Sequence, residues 1–198
     1  MKSTTASSAL LTDGVVAGFP FLHRGKVRNS YQISGPGHRL VVASDRASIF
    51  DFKLPVHIEG KGGVLKGMTI FWCMFLRERF PDLVLHDLVA FGRDIDGWLP
   101  EGLRENPELQ VRAVVVEELA MFLGECVVRG YLTGGGFRDY EKSEVVCGHH
   151  LQPGLTDGAR LSVPIFTPTT KATEGHDEPL TAEYVREEYG SELEATSL

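Results

Sequence analysis

The sequence predicts a mixed α and β protein arranged in two lobes, and three observations support that expectation. Two strand-like runs at 27–33 and 39–43 flank the turn-forming residues SGPGH, a spacing typical of a β-hairpin. Apolar residues recur at intervals of three and four across 65–79, which predicts a helix. The strand pattern lapses at 117–124 before it resumes, so this segment is a candidate connector between the lobes.

The first elements are the hairpin, from about Arg24 to Ser44, and the helix that follows it. Pro81 ends the helical pattern, because proline lacks the N–H that a continuing helix needs. Trp72 and Phe75 lie on the apolar stripe of this helix. We therefore expect them to pack in the core rather than to contact a ligand.

The second half begins with two further strand-like runs at 111–116 and 126–132. Residues 148–175 are rich in proline, glycine and threonine and show no periodicity, which predicts either a functional loop or a poorly ordered one. A last helix is expected from Thr181, because threonine is a good N-cap and the glutamates after it suit the helix dipole.

The charge distribution argues against a nucleic-acid partner. The net charge of −7 comes entirely from residues 173–198, where eight acidic residues accompany only Arg186. The remaining residues balance to zero and form no basic stripe, which a nucleic-acid-binding surface normally needs.

The sequence predicts a cytoplasmic protein without a membrane anchor. Asp13 interrupts the N-terminal apolar run, and IFWCMFL at 70–76 is far shorter than the ~20 residues that span a bilayer. The three cysteines form no CxxC pair, which is typical of reduced thiols.

Several segments combine cations with glycine in a way that suits anions. In HRGKVR at 23–28, a glycine precedes Lys26 and Arg28, so backbone N–H groups and two cations can converge on an anion; a solvated strand is equally consistent. The segments 44–51 and 125–136, and a further one at 166–178, place Arg or Lys among glycines, hydroxyls and carboxylates. Each could be a salt-bridged loop, but together they indicate a site for anionic small molecules.

No metal site is predicted within this chain. The pair His149 and His150 has adjacent side chains that point apart, and no further ligand stands at metal-site spacing. A surface turn is therefore the better interpretation of this pair.

The same segments occur in the order and spacing of one family. The most specific is ECVVRGYLTG at 125–134, accompanied by RGKVRNSYQI, VASDRASIFD, GKGGVL, FW, IFTPTTKA and HDE. On these residues the chain resembles the phosphoribosylaminoimidazole-succinocarboxamide synthases (SAICAR synthetases), which are ATP-dependent ligases of purine biosynthesis. The resemblance covers the chain from about Gly18 to its C-terminus.

The resemblance implies a two-lobed α+β fold of the SAICAR synthetase type, with an ATP-grasp or kinase-like architecture. A flexible tail at 1–14 would precede an antiparallel β-sheet lobe at 15–120 that covers ATP as a kinase small lobe does. Residues 121–198 would begin an incomplete C-terminal, substrate-binding lobe. The implied reaction joins L-aspartate to the carboxylate of carboxyaminoimidazole ribotide through an acyl phosphate, giving SAICAR, ADP and phosphate.

The resemblance also implies roles for individual residues. ATP would be contacted by Gly25, Lys26, Val27, Arg28, Arg112, Met121 and Lys171, with the Met121 main chain at the adenine. The imidazole substrate and its side of the site would involve Asp45, Arg46, Ser48, Asp51, Arg129, Thr133, Gly134 and Gly135. The catalytic candidates are Lys26, Arg129 and Lys171.

The chain departs from the family pattern at several positions. Asn29 stands where the family usually has Asp, Leu123 where it has Pro, and Gly135 where it has Ser. The loop after Lys171 is also one residue shorter. The loss of the serine hydroxyl at Gly135 puts the affinity for the ribotide phosphate in question.

The family motifs that supply acidic Mg²⁺ ligands and another phosphate-binding arginine lie beyond the HDE segment and are not in these 198 residues. We therefore expect a truncated form, or one piece of a split enzyme whose second chain supplies the remainder, with low activity alone. The alternatives are a non-catalytic nucleotide- or ribotide-binding module and a marginally stable fragment without function.

Overall fold

A computed structural model describes residues 13–33, 36–49, 52–82, 86–171 and 177–190. The chain divides into two compact units, Met1–Leu119 and Ala120–Leu198. None of the described helices combines the length and the apolar content that crossing a membrane requires.

The first unit is built on an antiparallel sheet. In chain order its elements are β1 (Phe21–Arg24), β2 (Arg28–Gln32), β3 (His38–Ala43), β4 (Arg46–Ile49), β5 (Phe52–His57), α1 (Lys61–Arg79), β6 (Leu88–Phe91), 3₁₀ turns at Gly92–Trp98 and Glu101–Leu103, α2 (Pro107–Arg112) and β7 (Ala113–Glu117). Five strands form the sheet in the order β1-β2-β3-β7-β6, and β4 pairs with β5 separately. The predicted hairpin is confirmed as β2 and β3.

The two faces of this sheet carry different partners, because successive side chains of a strand point to opposite faces. Leu40 and Val42 of β3 belong to the larger core cluster with Tyr31. Val41 of the same strand lies on the other face, in a cluster against which Ile70 of α1 packs. The helix therefore covers the face that carries Val41.

Helix α1 forms as predicted, but the prediction that its stripe with Trp72 and Phe75 faces the core is wrong. The buried residues of α1 are Gly62 and Lys66, whereas Trp72 is 50% exposed and Phe75 is 45% exposed. A Cβ atom on Gly62 would lie 2.8 Å from the carbonyl oxygen of Ala43. Close approach of the helix at this glycine, rather than apolar periodicity, sets which face meets the sheet.

Replacing Gly62 by alanine is expected to destabilise the unit by about 2 kcal/mol, because the added methyl must displace backbone that cannot yield. The matched control is Gly67→Ala in the same helix, where nothing lies within 4 Å of an added Cβ. That change is expected to stabilise by a few tenths to about 1 kcal/mol. Urea denaturation measures both, and equal stability of the two variants would contradict the close approach.

The second unit consists of shorter ladders. Its elements are β8 (Gly124–Glu125), β9 (Val128–Leu132), α3 (Gly134–Ser143), β10 (Val145–Val146), β11 (His149–His150), β12 (Ala159–Phe166), β13 (Thr169–Thr170) and α4 (Ala182–Tyr189). The antiparallel pairs are β9 with β12, β8 with β13, and β10 with β11. The core of the unit joins Leu132, Tyr140 and Val146 to Leu161 and Ile165.

Two sequence expectations for this unit have opposite outcomes. Helix α4 is confirmed, with the Thr181 hydroxyl accepting from the Tyr184 N–H at 3.1 Å. The expectation that 148–175 forms a loop is wrong, because β11, β12 and β13 lie within it. Pro164 is tolerated in β12 because it lies where the register with β9 shifts, between Arg160 and Ile165, and composition does not reveal this pairing.

Candidate functional site

The loop between β1 and β2 has the geometry of an anion-binding turn. The Gly25 N–H donates to the Arg28 carbonyl at 2.8 Å, which closes the turn on itself. The side chains of Lys26 and Arg28 are exposed. The predicted loop therefore presents two cations on a constrained backbone.

The carbonyl groups of this loop are held from inside by two side chains. Arg46, only 6% exposed, donates from Nη2 to the Gly25 oxygen at 3.1 Å and from Nε to the Lys26 oxygen at 3.3 Å. The Ser44 hydroxyl donates to the Val27 oxygen at 2.8 Å. Since a trans peptide directs its N–H opposite its carbonyl, the N–H groups of Lys26 and Val27 face away from Arg46. This arrangement resembles the nests of N–H groups that bind anions.

Asn29 explains how Arg46 is held. The Asn29 side chain is 1% exposed, and its amide donates to the Gly14 carbonyl at 2.9 Å and to the Asp13 carbonyl at 3.1 Å. Its Oδ1 accepts from Arg46 Nη2 at 2.9 Å. An amide can donate to both carbonyls, whereas an ionised carboxylate accepts only. The departure from the family aspartate is thus accommodated by local hydrogen bonds.

Asp45 and Arg112 form a buried ion pair next to this loop. The two residues are 0% and 5% exposed, and Arg112 Nη1 lies 3.2 Å from Asp45 Oδ1. Asp45 Oδ1 also accepts from the Gly62 N–H at 2.8 Å, and Arg112 Nη2 donates to Glu108 at 2.8 Å. Both side chains lie inside the unit. The contact of Asp45 with the substrate and that of Arg112 with the nucleotide stay predictions.

The remaining predicted residues of the first unit are Ser48 and Asp51. Ser48 is half-buried on β4, opposite Lys53 of β5. Asp51 lies outside the described residues.

In the second unit the structure brings Met121 and Lys171 to one place. Strand β13 pairs with β8, and the Lys171 N–H donates to the Leu123 carbonyl at 2.9 Å. The Lys171 ammonium pairs with the Glu125 carboxylate. Met121 is 73% exposed, two residues before Leu123. These two predicted nucleotide contacts, fifty positions apart in sequence, therefore flank one short ladder.

A cleft of about 250 Å³ in the same unit is lined by Arg129 and Gly135, two of the residues predicted to bind the imidazole substrate. Its lining includes Arg129, Gly135, Arg138, Thr167, Thr169 and Asp177. Arg129 Nε donates to the Thr167 hydroxyl at 3.0 Å, and that hydroxyl donates to the Val127 carbonyl at 3.0 Å. A Cβ on Gly136 would lie 3.2 Å from Arg129 Nε. The guanidinium is thus fixed against the first turn of α3, whereas Thr133 and Gly134 are exposed beside it.

The predicted residues do not line a second cavity, which lies in the first unit. That cavity, of about 850 Å³, is lined by Phe19, Gln32, Trp98 and Arg104 among others. Volume alone therefore does not identify the site that the motifs indicate.

Comparison with known proteins decides the family. The model of the SAICAR synthetase family matches residues 21–197. This chain belongs to the SAICAR synthetase family. The resemblance found in the motifs is thereby confirmed.

The relatives of the SAICAR synthetase family are similar over most of this chain. The phosphoribosylaminoimidazole-succinocarboxamide synthase of Saccharopolyspora erythraea is 44% identical over 181 residues, which is 91% of this chain and 56% of that protein. The one from Thermodesulfovibrio yellowstonii is 41% identical over 81% of this chain and 52% of its own length. The chain spans about half the length of the curated relatives it matches.

The solved structures confirm the α+β fold. A SAICAR synthase from Saccharomyces cerevisiae, complexed with SAICAR, superposes with a TM-score of 0.79 at 33% identity, covering 92% of this chain and 60% of that one. A type-2 SAICAR synthetase in complex with ADP has a TM-score of 0.63 at 19% identity, covering 89% and 63%, and supports the fold alone.

Sequence reasoning missed the residues that support the site from behind. Ser44, Asn29 and Thr167 hold Val27, Arg46 and Arg129 respectively. Each lies within a quoted motif, but nothing in the motif distinguishes a residue that binds a ligand from one that orients its neighbour.

Proposed function

We propose that this chain carries the nucleotide- and ribotide-binding residues of an ATP-dependent SAICAR synthetase, a carbon–nitrogen ligase of purine biosynthesis. The observation that carries the proposal is the Gly25–Arg28 loop, whose inward carbonyls leave N–H groups and two cations facing out. Relatives bearing that enzyme name and a solved structure with bound SAICAR support it. The substrates are then ATP, L-aspartate and carboxyaminoimidazole ribotide, in the cytoplasm and without a nucleic-acid partner.

The nucleotide is assigned to two groups of residues. Lys26, Arg28 and the Lys26 and Val27 N–H groups neutralise and orient its phosphates. The Met121 main chain meets the adenine, and Lys171, which directly follows β13, is brought near it by the pairing of β8 with β13. Arg112, whose guanidinium is paired with Asp45 and Glu108, remains a predicted nucleotide contact.

The ribotide is assigned to the cleft around Arg129. A guanidinium held by Thr167 presents a planar fork to a carboxylate or phosphate. With Gly135 in place of serine, the main-chain N–H groups at Thr133 to Gly135 supply the remaining donors. Asp45 and Arg46 act as positioning residues, and Ser48 and Asp51 remain predicted contacts on the substrate side.

The reaction needs two bond exchanges. An oxygen of the ribotide carboxylate attacks the γ-phosphorus of ATP and ADP leaves, which gives an acyl phosphate. The aspartate amine then attacks the acyl carbon, loses a proton and expels inorganic phosphate. Lys26 and Arg28 stabilise charge in the first step, and Arg129 holds the ribotide through both.

Mg²⁺ is implied by the family but finds no holder among the residues that the structure describes. In that part of the chain no group of three or more His, Cys, Asp or Glu side chains is arranged to hold an ion. These residues therefore do not fit a protein-bound Mg²⁺, and no step above depends on one. Ligands on a further segment, in this chain or a second one, remain a prediction.

A ligase assay tests the proposal. The chain is incubated with MgATP, L-aspartate and carboxyaminoimidazole ribotide, alone and with the C-terminal part of a close relative added as a separate polypeptide. We expect succinocarboxamide, detected by mass spectrometry, chiefly in the second arrangement, and none when Arg129→Met replaces the wild type. Absence of product in both arrangements, despite ADP binding, would favour the non-catalytic binding module.

A further inference from the structure

Helix α1 contains a buried lysine that the proposed reaction does not use. Lys66 is 6% exposed and lies one turn after Gly62 and one turn before Ile70, on the side of α1 that faces the sheet. Within the described residues it makes no hydrogen bond or salt bridge. The Lys66 ammonium is not one of the solvent-excluded atoms that lack a partner, so it reaches the surface at the end of a buried stem, where a ligand can contact it.

The strand register places Lys66 over the same face of the sheet as Arg28. Arg28 of β2 pairs with Ala43 of β3, and Val41 lies two residues from Ala43, so all three side chains share one face. Ile70 of α1 packs against the cluster that contains Val41. The contact of Gly62 with the Ala43 carbonyl and that of Ile70 with this cluster bracket Lys66 along β3.

The electrostatic environment is consistent with this placement. The pKa of Lys66 is lowered to about 8, mainly by burial and secondly by the positive charge of Arg28, whereas Asp87 and Cys73 act in the opposite direction. Arg28 is therefore near enough to repel the ammonium, and Asp87 only partly compensates. The pair of cations lacks a full counter-charge within the described chain.

We propose that Lys66 is an additional ligand of the nucleotide phosphates, which bind between its ammonium and the guanidinium of Arg28. The inference rests on the proposed binding of ATP at the Gly25–Arg28 loop, and it adds a cation from α1 to that site. An anion shared by Lys66 and Arg28 converts their mutual repulsion into two favourable contacts. Polyphosphate is the occupant that the exposed cations of the neighbouring loop favour.

Calorimetric titration of the full chain with ADP, AMP and L-aspartate tests this inference. Lys66→Met is expected to weaken ADP binding about tenfold and to leave AMP binding within twofold, because AMP lacks the outer phosphate. The matched control is Lys53→Met, an exposed lysine on β5, which should bind ADP as the wild type does. The melting temperature of Lys66→Met should equal or exceed that of the wild type, because methionine keeps the apolar stem and removes the repulsion with Arg28.

Proton uptake gives a readout that a structural role would not produce. Near pH 8 part of the Lys66 population is neutral, and a bound anion favours the charged form, so ADP binding should take up protons. Titrations in two buffers of different ionisation enthalpy measure that uptake, which should disappear in Lys66→Met.

The outcomes separate this inference from the proposed function. Unchanged ADP affinity and unchanged proton uptake in Lys66→Met overturn the inference and leave nucleotide binding intact. A loss of L-aspartate binding in place of ADP binding also overturns it, since the anion would then be a carboxylate. A wild-type chain that binds no ADP overturns both.

Discussion

Replacing Asp45 by alanine is expected to destabilise the first unit by about 3–5 kcal/mol, because it leaves a buried guanidinium without its principal counter-ion. Arg112 is 5% exposed, and Glu108, whose side chain is half exposed, is a weaker counter-ion than the buried Asp45. The same change removes the acceptor of the Gly62 N–H at the start of α1. The ion pair therefore joins the β3–β4 junction, α1 and α2, and its loss affects all three.

Urea denaturation followed by circular dichroism measures the effect. Asp94→Ala is the control, because Asp94 is exposed at the surface and the change should cost less than about 0.5 kcal/mol. The stability loss of Asp45→Asn should lie between those of Asp45→Ala and Asp94→Ala, since the amide oxygen can still accept from the Gly62 N–H but carries no charge. A loss below about 1 kcal/mol in Asp45→Ala would contradict the role assigned to the pair.

Replacing Arg46 by methionine is expected to lower the stability by about 3 kcal/mol and to weaken ADP binding at least thirtyfold. The guanidinium donates to the carbonyls of Asp13, Gly25 and Lys26 and to Asn29 Oδ1. Methionine fills similar volume but removes the donors to the Gly25 and Lys26 carbonyls and to Asn29 Oδ1. The inward carbonyls of the loop then lose the restraint that turns the Lys26 and Val27 N–H groups outward.

The binding loss separates Arg46 from residues that only stabilise the fold. Thermal denaturation and ADP titration are measured at a temperature where the variant remains folded, with the exposed Arg93→Met as control. Arg46→Lys should also bind poorly, because an ammonium cannot reach the spread of acceptors that the guanidinium fork reaches. Normal ADP affinity in a folded Arg46→Met protein would show that the loop does not depend on this restraint.

The sequence predicts those elements of the fold that local residues determine, and it does not predict those that depend on contacts with distant segments. The β2–β3 hairpin and α4 follow from turn residues and an N-cap, and both were predicted. The face that α1 buries depends on the approach of Gly62 to Ala43, which periodicity does not encode. Strand β12 depends on its pairing with β9, and composition alone suggested a loop.

The candidate site shows the same division. Lys26 and Arg28 could be predicted as candidates because a glycine next to cations is a local pattern, and Arg129 because its motif is specific. The sequence does not distinguish these from Arg46 and Arg112, whose guanidinium groups are buried against carbonyls and carboxylates. That distinction depends on which residues surround each arginine in the folded unit.

The most direct test of the account is the response of the Lys26 and Val27 amide resonances to nucleotide, followed by ¹H–¹⁵N correlation spectra. If the Gly25–Arg28 loop binds phosphates, both amides should shift on addition of ADP, shift far less with adenosine, and not respond in a folded Arg46→Met protein. Saturable ADP binding that leaves both resonances unmoved would contradict the central claim, because the phosphates would then be bound elsewhere.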